Sequence, residues 1–208
     1  MENSTDKSKK QKLQDIWLNY IKPSYLKEPK YFVKDISNCN NTEVEYIILC
    51  ESPHIEEVEH EPPLPLVGDS GKAIASFLFD ENCSIGELIQ DKSKINLPKI
   101  AIVNVCNVPL QKISHNENDV KNLSLDYLRN NCKIIDDLTE NLKKRLLPYS
   151  NAQVIVVCGE FAQKYYDRIK DNFKKVKPLY VPHPSRNHWK FVYEHKDDIS
   201  VLKWLFEN

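Results

Sequence analysis

Glycine is nearly missing from this chain of 208 residues: Gly68, Gly71, Gly86 and Gly159 are the only four, against 12 prolines. Such a chain is not a flexible, loop-rich one, and each glycine it keeps calls for a local reason. Long apolar runs are missing too. No stretch approaches the roughly 18 consecutive apolar residues needed to cross a bilayer. The lysine-rich start, Met1 to Lys12, lacks the apolar core of a signal peptide, so a cytoplasmic protein without membrane contact is expected. Neither sign of charge dominates. The formal net charge of −1 excludes the global positive field of a histone-like protein and leaves any phosphate contact to local groups. Paired cysteines are absent as well: the six, at 39, 50, 83, 106, 132 and 158, show no C-x-x-C spacing for zinc, an iron–sulphur cluster or dithiol chemistry. Cys50, Cys106 and Cys158 lie in or at the end of apolar runs and read as small buried hydrophobes.

What remains is the composition of a globular protein, 41% hydrophobic and 28% charged, at a length that suits about one domain. Leu13, Ile16, Trp17, Tyr20 and Ile21 fall at helical spacing ahead of Pro23, so residues 1–40 read as an N-terminal helical segment and 41–208 as a single domain. Four short apolar runs follow, Tyr46 to Cys50, Ile100 to Cys106, Val154 to Cys158 and Leu179 to Val181. They are continuous rather than alternating, as strands of a parallel sheet covered on both faces are. Helical patterns over 72–79, 119–147, 161–173 and 199–206 alternate with them. The expected fold is therefore α/β, a three-layer α/β/α sandwich on a central, mostly parallel four-stranded sheet.

In open sheets of this kind ligands bind beyond the carboxyl ends of the strands, where loops and helix N-termini converge. The unusual residues of this chain gather there. The first strand runs into Glu51-Ser52-Pro53-His54 and on through Glu57 to Pro65-Leu66-Val67-Gly68-Asp69-Ser70-Gly71. The second ends near Asn104 and Asn107, the third at Gly159-Glu160, and the fourth in Pro182-His183-Pro184-Ser185-Arg186. Gly86 has no such place. Each feature also has a plainer use: Ser70 or Gly71 can start a helix, Gly159 can open a turn, and a buried Asn104 needs only a partner for its amide.

Several motif likenesses fail. Gly68-Asp-Ser-Gly71 echoes the nucleophile segment of chymotrypsin-like proteases, but those are all-β. Gly71-Lys72 resembles the end of a phosphate-binding P-loop, yet Leu66 stands at its first glycine and Ala73 at its magnesium-holding Ser/Thr. His54, Glu57 and His60 offer metal-ligand chemistry without the H-E-x-x-H spacing.

Together the four segments resemble the uracil-DNA glycosylase superfamily, most closely the branch with G-E-A-P-G followed by P-F-V-G-x-x-G. Here those stretches read Cys50-Glu-Ser-Pro-His54 and Pro65-Leu-Val-Gly-Asp-Ser-Gly71. The branch's I-T-N-V-V is similar to Ile102-Val-Asn-Val-Cys106, its L-G-x-x-A to Cys158-Gly-Glu-Phe-Ala162, and the superfamily's H-P-S to His183-Pro-Ser185. The resemblance covers roughly residues 44 to 186 and implies a monofunctional DNA glycosylase acting, as a monomer and without cofactor or metal, on DNA that carries uracil or another modified base. It implies that His183 donates to the base carbonyl, that Glu57, Glu51 or Ser52 governs water and the sugar cation, and that Asn104, Leu66 and His54 meet the base. Pro53, Gly68, Ser70, Gly71, Pro184, Ser185 and Arg186 would then meet backbone and phosphates. Three departures stand out: Ser52 where the superfamily has aspartate, asparagine or alanine, Leu66 where an aromatic residue stacks on the base, and His54 where glycine or tyrosine is usual. The branch's iron–sulphur cluster has no cysteine pairs to hold it here.

A basic set, Lys164, Arg168, Lys170, Lys174, Lys175 and Arg186, is expected to face phosphates. Two other readings compete: a nucleotide or nucleic-acid binding module of the same fold, weakened as a catalyst by Leu66 and Ser52, and a metal-dependent small-molecule hydrolase built on His54, Glu57 and His60.

Overall fold

The computed structural model describes residues 32–91, 97–108, 132–185, 189–190 and 197–207. Three of its strands are runs of β-branched and apolar residues without a polar interruption until the last position: β2 (Tyr46–Cys50), β3 (Ile100–Asn104) and β4 (Val154–Cys158). Such strands bury both faces, and all five residues of β3 and of β4 are buried. A fourth, β5 (Lys177–Val181), lies at an edge, the place in a sheet where a proline such as Pro178 is tolerated, and Asp198 Oδ2 accepts the Tyr180 N–H at 3.0 Å. The sheet has five strands, not four. β1 (Ile36–Ser37) pairs antiparallel with β3, and the order is β1-β3-β2-β4-β5 with the other neighbours parallel. Residues 32–40 thus carry no helix and belong with the sheet, while the helix expected over 13–21 lies outside the described residues.

Six α-helices are present among the described residues. On one face of the sheet α1 (Ile55–Glu59), α2 (Asp69–Phe79) and α3 (Ile85–Gln90) link β2 to β3, and α6 (Asp197–Glu207) joins them; Ile48, Ile102, Val156, Ile74, Leu88 and Leu202 make that core. On the other face α4 (Cys132–Leu146) and α5 (Gly159–Tyr166) pack Leu138, Leu142, Phe161 and Tyr165 against Ile47, Val103 and Val157. The architecture is an α/β sandwich. Cys50, Cys106 and Cys158 are buried free thiols, as their apolar settings suggest.

Several boundaries moved. α2 begins at Asp69 rather than Lys72. The expected 119–147 helix is described from Cys132 and gives way to a 3-10 turn at Leu147–Tyr149, where Pro148 sits, and the 161–173 helix ends at Tyr166 before a 3-10 turn at Lys170–Phe173. The short helices α1 and α3 had no counterpart in the sequence pattern. No helix of the described residues is long and apolar enough to cross a membrane.

Candidate functional site

The chain leaves β2 toward β3 on one side and, after crossing back, continues to β4 and β5 on the other. The strand order therefore reverses beside β2, and a crevice opens outside the carboxyl ends there. A cavity of about 210 Å³ occupies that place. Glu51, Ser52, Pro53 and His54, which follow β2, form one part of its wall, and Leu66, Gly68, Asp69 and Ser70 another. Glu57 comes in from α1 and His183 from beyond β5, so nine of the fourteen residues expected at the site line a single cavity. Cys50, Glu56 and Asp69 line it too.

Leu66 is held in an uncommon way. It is 4% exposed and has φ 56, a left-handed conformation that costs a leucine about 1–2 kcal/mol. Its surroundings enforce it. Glu57 accepts the Leu66 N–H, and the Leu66 carbonyl accepts the Gly86 N–H at 3.2 Å. Two glycines close the vise: a Cβ at Gly71 would overlap the Leu66 carbonyl, and one at Gly86 would overlap the carbonyl of Pro65. Gly71 does not line the cavity but shapes its wall through Leu66, and Gly86 has gained its reason.

Glu57 is 5% exposed. Burial pushes its carboxyl up to about 7, aided by the charge of Glu56, while the backbone N–H groups of Leu66 and His54 pull the other way. The bond from His54 N–H is half of a capping box, since His54 is the N-cap of α1 and Glu57 its third residue. His54 Nδ1 accepts from Glu56 N–H at 3.5 Å, so this exposed ring caps the helix at the cavity rim.

His183 sits where a rigid strand exit delivers it. Trp189 Nε1 donates to the Pro182 carbonyl at 2.7 Å, and its buried indole meets Phe77 of α2 edge-on, which ties the exit to the helix layer. Ser185 N–H donates to His183 Nδ1 at 3.3 Å, so in the neutral ring Nε2 carries the proton and is the donor. Gly159 lies beneath. It has φ +82, and a Cβ there would stand 3.2 Å from His183 Cβ. Pro184 is buried and Ser185 supports the ring; neither lines the cavity, and Arg186 lies outside the described residues.

Asn104 ends β3 in register with Cys50, 2% exposed and one strand away from the cavity wall, but it does not line the cavity. Its carbonyl is fixed by Arg145 of α4. Arg145 Nη2 donates to the Asn104 and Val105 carbonyls at 2.7 and 2.8 Å, Nη1 to both oxygens of Asp35 at 2.9 Å, and Nε to Asn141 at 2.7 Å. Asn107 is structural: its amide donates to the Val33 carbonyl and to Asp35. This clasp, and the Trp189 tether, had no sequence signal beyond an arginine and a tryptophan in amphipathic segments.

The expected phosphate-facing lysines are mostly misplaced. α5 starts at the carboxyl end of β4 and returns to the start of β5, so Lys170, Lys174 and Lys175 sit at the sheet edge opposite the cavity. Arg168 pairs with Asp136 at 2.9 Å and Lys170 with Asp167 at 3.1 Å. The metal alternative finds no donor set: His60 turns its Nδ1 to the Pro62 carbonyl at 2.7 Å, and among the described residues no three His, Cys, Asp or Glu side chains gather as a metal site. Chemically, the cavity offers an imidazole donor, the Glu57 carboxyl that titrates near neutrality, the further carboxylates of Glu51, Glu56 and Asp69, and the N-terminus of α2, whose N-cap Gly68 supplies no side-chain acceptor. No family model and no curated protein matches the chain.

Proposed function

We propose that the protein is a DNA glycosylase that hydrolyses the bond between deoxyribose and a flipped-out uracil or other modified base, in the manner of the superfamily its strand-end segments resemble. The supporting observation is the convergence of His183, Glu57 and Glu51 on one small cavity at the topological switch point. At about 210 Å³ that cavity is below the roughly 300 Å³ of sites for drug-sized ligands, a size that suits a single ring better than a whole nucleotide.

Cleavage leaves negative charge on the base and positive charge on the sugar. His183 Nε2–H supplies a donor for the base oxygen, and removing one such donor commonly costs 10²–10³ in rate. Glu57, or Glu51 beside it, orients water and opposes the sugar cation. A carboxyl that titrates near 7 is suited to taking a proton from that water. Pro53, Gly68, Ser70 and Ser185 approach the backbone.

The test is incubation of the protein, without added metal, with single- and double-stranded oligonucleotides carrying uracil, hypoxanthine, xanthine or a bulky modified pyrimidine, followed by alkali and sizing. Strand breakage at the modified position, lost by at least a hundredfold in His183→Ala, is expected. No cleavage of any substrate, or a His183→Ala variant as active as the parent, refutes the reading. One observation favours the second reading of a binding module: Leu66 fills the position of a stacking aromatic, and such stacking is worth about 1–3 kcal/mol per base. Under it the oligonucleotides bind and no base is released.

A further inference from the structure

A second, polar groove of about 370 Å³ lies along α2, and the first residue of that helix, Asp69, lines both it and the cavity. Its walls are Lys72, Ser76 and Glu81 on one side and Lys190 on the other. Lys190 Nζ donates to Ser76 Oγ at 3.0 Å, which holds one ammonium over the groove, and Lys72 is exposed one helical turn nearer the cavity. Among the described residues neither lysine has a carboxylate partner, which is true of Lys174 and Lys175 as well, so the groove and the bond to Ser76 are what set Lys72 and Lys190 apart.

We infer that the groove of Lys72, Ser76 and Lys190 is a phosphodiester subsite for the strand whose nucleotide occupies the cavity. The inference rests on the glycosylase reading and adds to it the path of the strand. A helix rises about 1.5 Å per residue, so Ser76 lies about 9 Å beyond Ser70. This places the groove within a nucleotide or two of the flipped one, where the sugar-phosphate backbone must pass. Asp69 and Glu81 also line the groove and disfavour phosphates beside them, which leaves the Lys72, Ser76 and Lys190 stretch as the part that suits a phosphodiester. The two ammoniums and the serine hydroxyl between them supply donors for phosphate oxygens without reading sequence.

The experiment is binding of the full chain to a single-stranded oligonucleotide carrying a tetrahydrofuran abasic-site analogue, measured across a range of KCl concentrations. Each phosphate contact to a single strand contributes about 0.7 to the slope of log affinity against log salt. Lys72→Gln/Lys190→Gln is expected to lower that slope by about 1.4, and Lys174→Gln/Lys175→Gln, at the far edge of the sheet, to leave it unchanged. All four lysines are exposed, so the fold is expected to survive, and an unchanged melting curve checks it. An unchanged slope in the first variant, or an equal drop in both, overturns the subsite while base release by the parent keeps the glycosylase reading intact. A parent that neither binds the oligonucleotide nor releases a base overturns both.

Discussion

Replacing Glu57 by glutamine should stabilise the protein at alkaline pH and abolish its proposed activity. The buried Glu57 carboxyl loses its proton at about 7, well above the ordinary range, chiefly because burial penalises its charge. A folded-state pKa raised in this way contributes stability that is fully present below the unfolded value and is lost as pH rises through about 7. Holding the ionised group in place then costs the folded state about 3 kcal/mol at pH 8.5, at 1.36 kcal/mol per pH unit of displacement. Because Glu57 is 5% exposed, solvent screening reduces this little. Glutamine never carries charge and keeps one oxygen to accept a backbone N–H. A domain of this length gains about 2–4 °C per kcal/mol. Glu57→Gln should therefore melt about 6–12 °C above the parent at pH 8.5 and within about a degree of it at pH 4, below the unfolded value of the carboxyl, by scanning calorimetry or circular dichroism. If the difference between the two proteins is the same at both pH values, or if the variant is the less stable one at pH 8.5, the assignment of a buried, titrating Glu57 is wrong. The same titration predicts that base release by the parent rises as pH increases through about 7, when the carboxylate needed at the sugar forms.

Gly159→Ala combines a left-handed backbone with a Cβ 3.2 Å from His183 Cβ, so it should cost about 1–2 kcal/mol and slow base release more than it lowers the melting point; unchanged kinetics would separate His183 from its support. Arg145→Met leaves Asp35 without its cation, with the Asn107 amide still donating to it, and removes one donor from two carbonyls; since Arg145 and Asp35 are 17% and 13% exposed the expected loss is about 3 kcal/mol, the low end for a buried pair. Denaturant unfolding measures it, and a loss under about 1 kcal/mol would mean that the pair behaves as a surface one.

Strand positions were legible because parallel strands covered on both faces must be continuous in apolar residues, and β2, β3 and β4 are. The cavity was legible because glycines and prolines cluster where those strands end. β1 was not, since two residues carry no period and its existence depends on the free edge of β3. The short helices were hidden for the same reason, although Ser84 and Glu87 form a full capping box whose spacing can be read directly. His54 and Glu57 have that spacing too, and reading them only as candidate ligands missed that Glu57 caps a helix while lining the cavity. Lys170, Lys174 and Lys175 misled because composition carries no direction: only the return path of the chain from α5 to β5 puts them at the edge opposite the site.

The vise on Leu66 has an evolutionary corollary. Gly71 and Gly86 stand on different helices, yet both contact the same short stretch of backbone, so neither can acquire a side chain without displacing the other's neighbour. Descendants that retain this pocket must inherit the two together, and those that lose one are free to lose the second along with the left-handed turn. This linked inheritance, joining positions that share no motif, would mark distant kin whose strand-end segments have drifted past recognition.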